Sequence, residues 1–153
     1  MSAESRLKEL GIVLPPPPPR GGVYQPVVIV NGLAYVSGHG PVKADGGYVT
    51  GRVGADLDAD AGREAARLAG LAMLASLRAA LGSLDRVTRV VKLLGMVNAA
   101  PDFGAHPAVI NGCSELFADI WGPERGVGAR SAVGMGSLPH GIAVEIEGTF
   151  AIE

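Results

Sequence analysis

The stretch from Asp56 to Gly82 constrains this chain more than any other part of its sequence. Asp56, Asp58 and Asp60 crowd its start, where carboxylates offset the positive end of a helix dipole and cap free amides. Gly82 stops it. In between, Ala61, Ala65, Leu68, Ala72 and Ala75 recur at helical spacing, while Arg63, Glu64, Arg67 and Arg78 are available for a wet face. A helix of that length, lined with small side chains, calls for a sheet to lie against. Hydrophobic residues make up 48% of the chain and aromatics only 5%, so the core is built from Ala, Val, Leu and Ile, with abundant Gly allowing close approach.

The rest of the chain supplies the sheet. Val27 to Val30 and Leu33 to Ser37 flank Asn31-Gly32, a dipeptide that takes the positive φ angles of a type I′ turn, and together they predict a hairpin. Tyr48 to Val53 is expected to add a short strand after a turn at Ala44 to Gly47. Arg86 to Val97 reads as a strand entering a core, charged early and apolar late. Phe103 to Trp121 reads as a second helix with Val109, Cys113, Leu116, Phe117 and Ile120 on one side. Ser131 to Met135 and Ile142 to Phe150 read as two last strands around a turn at Ser137-Leu138-Pro139-His140. The order is ββ(β)αβαββ, an α+β chain with two main helices on one face of a mixed sheet. The other face then needs a partner, so oligomerisation is expected. Residues 1–19 read as an N-terminal extension, a short helix from Ala3 to Leu10 followed by a stiff strap at Pro15 to Pro19, and residues 20–153 as the single domain proper, which 153 residues can fill.

Composition excludes several functions. A net charge of −2 with both signs mixed along the chain leaves no broad basic surface, so nucleic acid is not the expected partner. No apolar run approaches the roughly 20 residues of a membrane span. A lone cysteine, Cys113, and the lack of an apolar signal core in Met1 to Leu10 point to a cytoplasmic protein. His39, His106 and His140 lack metal-ligand spacing, and no metal is expected. Neither a phosphate-binding glycine loop nor a Ser/His/Asp signature is present.

What remains is a carboxylate pair and an arginine. Glu145 and Glu147 alternate with Val144 and Ile146, so both project from one strand face. By pattern alone they are an ordinary solvent-facing pair. A hairpin centred on Leu138 and Pro139 would bring Arg130 close to Glu147, either as a cross-strand ion pair or as a guanidinium fork for a substrate carboxylate beside a group that handles water. Ser37-Gly38-His39-Gly40-Pro41 ends a strand in a flexible polar loop, a common place for ligand-facing backbone.

Ser37-Gly38 after a hairpin, Ile110-Asn111 in the second helix, Ala129-Arg130-Ser131-Ala132-Val133, then Leu138-Pro139 and Val144-Glu145-Ile146-Glu147, in that order and spacing, resemble the RidA/YjgF family of reactive-intermediate deaminases. The resemblance implies a chorismate-mutase-like fold assembled as a homotrimer with clefts between subunits. It implies that Arg130 binds the carboxylate of a 2-imino or 2-enamino acid and that Glu145 positions a water. Hydrolysis then yields a 2-keto acid and ammonia without a cofactor. Tyr24, Ser37, Gly38, Asn111 and Ser131 match positions lining the family cleft, and Glu147 is assigned a supporting or pairing role. This chain departs from the family at Val23, His39 and Ala132, where members usually carry Pro, Gln and Cys or Thr, and so reads as a divergent branch with an altered cleft rim. Three functions follow: imine and enamine deamination, non-catalytic binding of a small carboxylate metabolite on the same fold, and the endoribonuclease or translation-inhibitor activity often attributed to relatives.

Overall fold

A computed structural model describes all of residues 1–153. Helix α1 (Ala3–Glu9) leads into β1 (Val27–Val30), β2 (Leu33–His39), α2 (Ala59–Leu81), β3 (Val87–Asn98), α3 (His106–Gly126), β4 (Ala129–Met135) and β5 (Val144–Ile152). The five strands form one mixed sheet in the order β1-β2-β5-β3-β4. Only β3 and β4 run parallel.

Local signals account for the boundaries. Asn31 (φ 50°) and Gly32 (φ 73°) both take positive φ in the β1–β2 turn, the geometry that Asn-Gly predicts. The side chain of Asp58 accepts the Ala61 amide at 2.8 Å to start α2, and Gly82 ends it in the left-handed conformation. The path of α3 is interrupted at Gly122, just before Pro123, and its last turn runs on to Gly126. It therefore begins later and ends later than the Phe103 to Trp121 expected from sequence. Tyr48 to Val53 forms only isolated bridges, Val42 to Tyr48, Thr50 to Ile142, and Val53 to both Leu57 and Ala99, so the optional third strand is a bridged loop.

The inward faces of β2, β5 and β3 present Ala34, Val36, Val144, Ile146, Phe150, Leu93 and Val97, all buried against α2 and α3. The central part of α2 is buried on more than one side, Ala66, Ala69, Met73, Leu74 and Leu77 included. The stripe predicted from sequence missed this breadth because α3 covers a second flank of the helix. The two helices approach so closely that a Cβ on Gly112 would overlap the Arg63 carbonyl oxygen. Phe117, Trp121 and Phe150 form the aromatic centre of the core, with ring centroids 5.6 to 6.1 Å apart.

The first nineteen residues are fastened to this body. Ala3, Leu7 and Leu14 belong to the main core cluster, Glu4 accepts the Leu84 amide at 3.0 Å, and Arg6 donates to the Asp119 carbonyl at 2.8 Å. Pro15 to Pro19 run beside Leu68, Leu71 and Tyr48, leaving an apolar groove of about 710 Å³.

The topology overturns one expectation. Strands β4 and β5 do not pair; β5 inserts between β2 and β3, with β3 separating it from β4. Leu138-Pro139 thus begins a crossover rather than a hairpin, and Arg130 is not brought opposite Glu147. Turn residues report that the chain bends, but not which neighbour a strand takes afterwards.

Candidate active site

Two clefts hold most of the polar side chains singled out above. The first, about 530 Å³, is lined by Tyr24, Ser37, Gly38, Tyr48, His140 and Glu145, among others. Its floor depends on an irregularity in β2. Val36 pairs with Gly148 and His39 with Ile146, so Ser37 and Gly38 together oppose the single residue Glu147. Such a bulge re-aims side chains and is common beside functional sites. Here it lets Gly38 lie flat against the Glu145 side chain, whose Cδ would stand only 2.9 Å from a Cβ at position 38. Ser37 Oγ donates to the Gln25 carbonyl at 2.6 Å, tying the bulge to the segment that carries Tyr24.

The bulge also turns His39 inward. Its Nδ1 lies 2.6 Å from the Ser37 carbonyl oxygen and its Nε2 2.7 Å from Ser76 Oγ on α2. A carbonyl only accepts, so Nδ1 carries the proton and Ser76 donates to Nε2. Burial pushes the His39 pKa down, partly offset by the bond to Ser37. The histidine expected at the cleft rim is therefore a buried strut beneath it.

Glu145 is half-buried, and its pKa is raised, first by burial and second by the negative charge of Glu147 on the same strand face. Glu147 itself is exposed.

The second cleft, about 380 Å³, lies at the β4 edge and is lined by Leu93, Asn111, Ser114, Glu115, Gly128 and Arg130, among others. Arg130 Nη1 donates to Asn111 Oδ1 at 2.8 Å and to Ser114 Oγ at 3.1 Å, both on α3. No carboxylate lies within 4.0 Å of the guanidinium, because Glu115, the acid in this cleft, is paired with Arg63. The charge is held in place by neutral acceptors and remains available to an anion. Cys113, next to the cleft-lining Ser114 in the chain, is fully buried, and burial raises its thiol pKa beyond any useful range despite the opposing effect of Arg130.

Within one chain the two clefts are separate. Arg130 is in register with Leu93, and Glu145 with Met96 three residues further along β3. Two strand spacings across and three residues along put their Cα atoms on the order of 14 Å apart. The side chains also leave opposite faces. Arg130 shares the helix-covered face with Leu93, whereas Glu145 shares the open face with Met96, the alternation along each strand fixing both. Asn111 lies with Arg130; Tyr24, Ser37 and Gly38 lie with Glu145. Ser131 is in register with Leu94, in the row of Glu147, and lines neither cleft. Sequence reasoning missed Ser114, although it stands three residues after Asn111 on the same helix face, and missed Tyr48 and His140, which carried no local signal. No group of His, Cys, Asp and Glu is arranged to hold a metal ion, and no helix is long and apolar enough to cross a membrane.

Comparison with known proteins agrees with this architecture. The model of a family described as "YjgF/chorismate mutase-like, putative endoribonuclease" matches residues 4–139. Protein TCP17 of Trypanosoma cruzi is 42% identical over 143 residues, spanning 94% of this chain and 89% of the relative. Among solved structures, a protein of unknown function from Agrobacterium tumefaciens is 43% identical with a TM-score of 0.89, covering 99% of this chain and 94% of its own. RidA from an Antarctic Psychrobacter bacterium is 28% identical with a TM-score of 0.61, covering 88% of this chain and 93% of its own.

Proposed function

The chain belongs to the YjgF/RidA-like family, and on that premise we propose that it hydrolyses 2-imino and 2-enamino acids to 2-keto acids and ammonia without a cofactor. The observation that carries the reading is Arg130, a guanidinium fixed by Asn111 and Ser114 yet free of any carboxylate partner. A planar fork of that kind takes a carboxylate in two parallel hydrogen bonds and fixes the plane of the conjugated C=N group beside it. The active unit is a homotrimer in the cytoplasm, and each site joins the Arg130 cleft of one subunit to the Glu145 cleft of its neighbour. The separation of the two clefts within one chain favours this arrangement, as does the uncovered sheet face bearing Tyr35, Met96 and Val133.

In such a site the substrate carboxylate sits on Arg130 and the imine carbon faces a water held by Glu145. The water oxygen forms a bond to C2 as its proton passes to Glu145. The C=N π pair moves to nitrogen, which takes that proton back from the carboxyl to give the carbinolamine. The same carboxyl then carries the new hydroxyl's proton to nitrogen, the C–N pair leaves with nitrogen as ammonia, and the oxygen is left as C=O. A carboxyl whose pKa is raised by burial and by Glu147 suits both transfers. Tyr24, Ser37 and Gly38 shape the wall.

The test is subunit complementation. Arg130→Ala and Glu145→Gln are each prepared alone and then co-refolded in equal amounts. Keto-acid release is measured from an imine generated in situ by an amino-acid oxidase. Loss of the charged anchor or of the proton carrier is expected to cost about 100-fold in kcat/KM each. Random mixing restores both groups in about a quarter of the clefts, because each cleft draws one residue from each neighbour. Wild-type rates in both single variants would sink the assignment, and a mixture no faster than its components would sink the composite site.

A non-catalytic reading is favoured by one fact, that the Arg130 cleft is complete for carboxylate binding within a single chain. Isothermal titration with 2-oxobutyrate alongside the imine assay separates the two: saturable binding without hydrolysis favours the binding module. The endoribonuclease activity in the family's description has no comparable support here, with a net charge of −2 and no basic tract.

A further inference from the structure

The proline strap ends at a residue that the reaction above does not use. Arg20 follows Pro19 directly, and both line the cleft of Glu145 together with Tyr24, Ser37 and Gly38. No carboxylate lies within 4.0 Å of its guanidinium; its contacts in the chain are the Tyr24 carbonyl at 3.3 Å and Gln25 Oε1 at 3.4 Å, both neutral and both long. The only acid lining this cleft is Glu145. No ion pair within 4.0 Å joins Arg20 to that carboxyl.

Its placement is also constrained. On one side Leu14 is buried in the core cluster, and the five prolines that follow hold fixed φ angles along an extended path of roughly 15 Å. On the other side the Gly21 amide donates to the Tyr24 hydroxyl at 3.1 Å. Arg20 is thus carried to the cleft mouth between two anchors, and little backbone entropy is left to lose when it engages an anion. A flexible tail would not deliver a long side chain to one place.

We infer that Arg20 is a specificity residue that recognises a second, distal acidic group, so that the preferred substrates are 2-imino acids derived from dicarboxylic amino acids. The inference rests on the reaction proposed above and narrows its substrate class. In the joined site the substrate meets two guanidiniums, Arg130 of one subunit and Arg20 beside Glu145 of its neighbour, while Glu115, the acid of the Arg130 cleft, stays paired with Arg63. A monocarboxylate satisfies Arg130 alone and leaves Arg20 to solvent. A diacid satisfies both, with the imine carbon between them.

The experiment compares kcat/KM for the imine of glutamate with that for the imine of leucine, each generated in situ by an oxidase, in the wild type, Arg20→Gln and Arg20→Lys. The wild type is expected to prefer the diacid. Arg20→Gln is expected to lower the diacid-to-monoacid ratio about fivefold, the size of effect expected for a solvent-exposed charge-assisted contact. Arg20→Lys, which keeps the charge, is expected to recover part of the ratio. The inference is overturned by a wild type that favours the leucine imine, or by a ratio unchanged in Arg20→Gln. In both cases hydrolysis itself stands. If neither imine is hydrolysed, the reaction fails separately, and the same ratio is read by calorimetry from the affinities of 2-oxoglutarate and 2-oxobutyrate. Equal discrimination in wild type and Arg20→Gln would then refute the role of Arg20.

Discussion

Gly38→Ala separates the position of Glu145 from the stability of the fold. A methyl group at this position would overlap Glu145 Oε2 and stand 2.9 Å from Cδ and 3.1 Å from Cγ. Unstrained contacts between carbon atoms begin near about 3.5 Å, so the carboxyl must retreat by roughly 1 Å. It can do so, because Glu145 is half-buried, reaches the cleft by its flexible end and makes no hydrogen bond that anchors it elsewhere in the chain. Residue 38 lies outside the left-handed region, so alanine adds no backbone strain. The structural cost is that of an off-rotamer side chain, about 1 kcal/mol, which moves Tm by about 2–4 °C in a chain of this size. The catalytic cost is far larger, since a 1 Å displacement of a reacting group is worth about 100-fold.

The assay measures kcat/KM for imine hydrolysis beside Tm for the same preparation. A fall of about 100-fold with Tm within about 4 °C of wild type is expected. Gly112→Ala provides the contrast: there the added Cβ meets the backbone carbonyl of Arg63, which no side-chain rotation can relieve. Overpacking between two helices costs about 1–3 kcal/mol, so Tm is expected to fall further than in Gly38→Ala. A Gly38→Ala protein with wild-type turnover would refute the claim that Glu145 acts from the position the bulge gives it. One that lost stability as Gly112→Ala does would refute the claim that the carboxyl can yield.

Two pH effects follow from the same cleft. His39 has a folded pKa below its ordinary 6.5, so its contribution to stability is present above pH 6.5 and is lost as pH falls through 6.5 toward the folded value. Urea midpoints at pH 7.5 and 5.5 are expected to differ more in wild type than in His39→Gln, by at most about 1.4 kcal/mol per pH unit from this site; equal differences would mean the imidazole does not titrate differently on unfolding. Glu147→Gln removes the second cause of the raised Glu145 pKa, so the acid limb of the kcat/KM profile is expected to move to lower pH; an unmoved limb would leave Glu147 without influence on the reaction.

Much of the fold was legible because its signals are local. Asp58 and Gly82 bound α2, and Asn31-Gly32 closes the first hairpin, each by chemistry contained within a few residues. Strand order was not legible in this way. Nothing near Leu138 and Pro139 distinguishes a hairpin from a crossover, and the outcome depends on β5 finding two antiparallel partners, β2 and β3, where an edge position would have offered one. The site followed the same division. Arg130 and Glu145 stood out as residues, but their relation is a matter of register and face. The inward turn of His39 needed the bulge at Ser37-Gly38, whose extra residue no alternation pattern reveals. Arg20 was passed over because its meaning lies in where the prolines deliver it.

The crossover that defeated the hairpin reading is also what gives the site its divided form. By entering the middle of the sheet, β5 carries Glu145 onto the open face, while the parallel return of β4 leaves Arg130 at the edge, turned toward α3 and held there by Asn111 and Ser114. Side-chain rotation cannot close the gap, because β3 lies between them and the two residues leave opposite faces. A chain so arranged can unite its guanidinium with its carboxyl only by setting its own open face against the edge of another copy. The exposed Val28, Tyr35 and Val133 give that face an apolar surface to bury in doing so. Under the proposed reaction assembly and chemistry are one requirement: a variant that keeps the fold but loses contact between copies is expected to retain binding of 2-oxobutyrate, read by calorimetry, and to lose turnover in the imine assay.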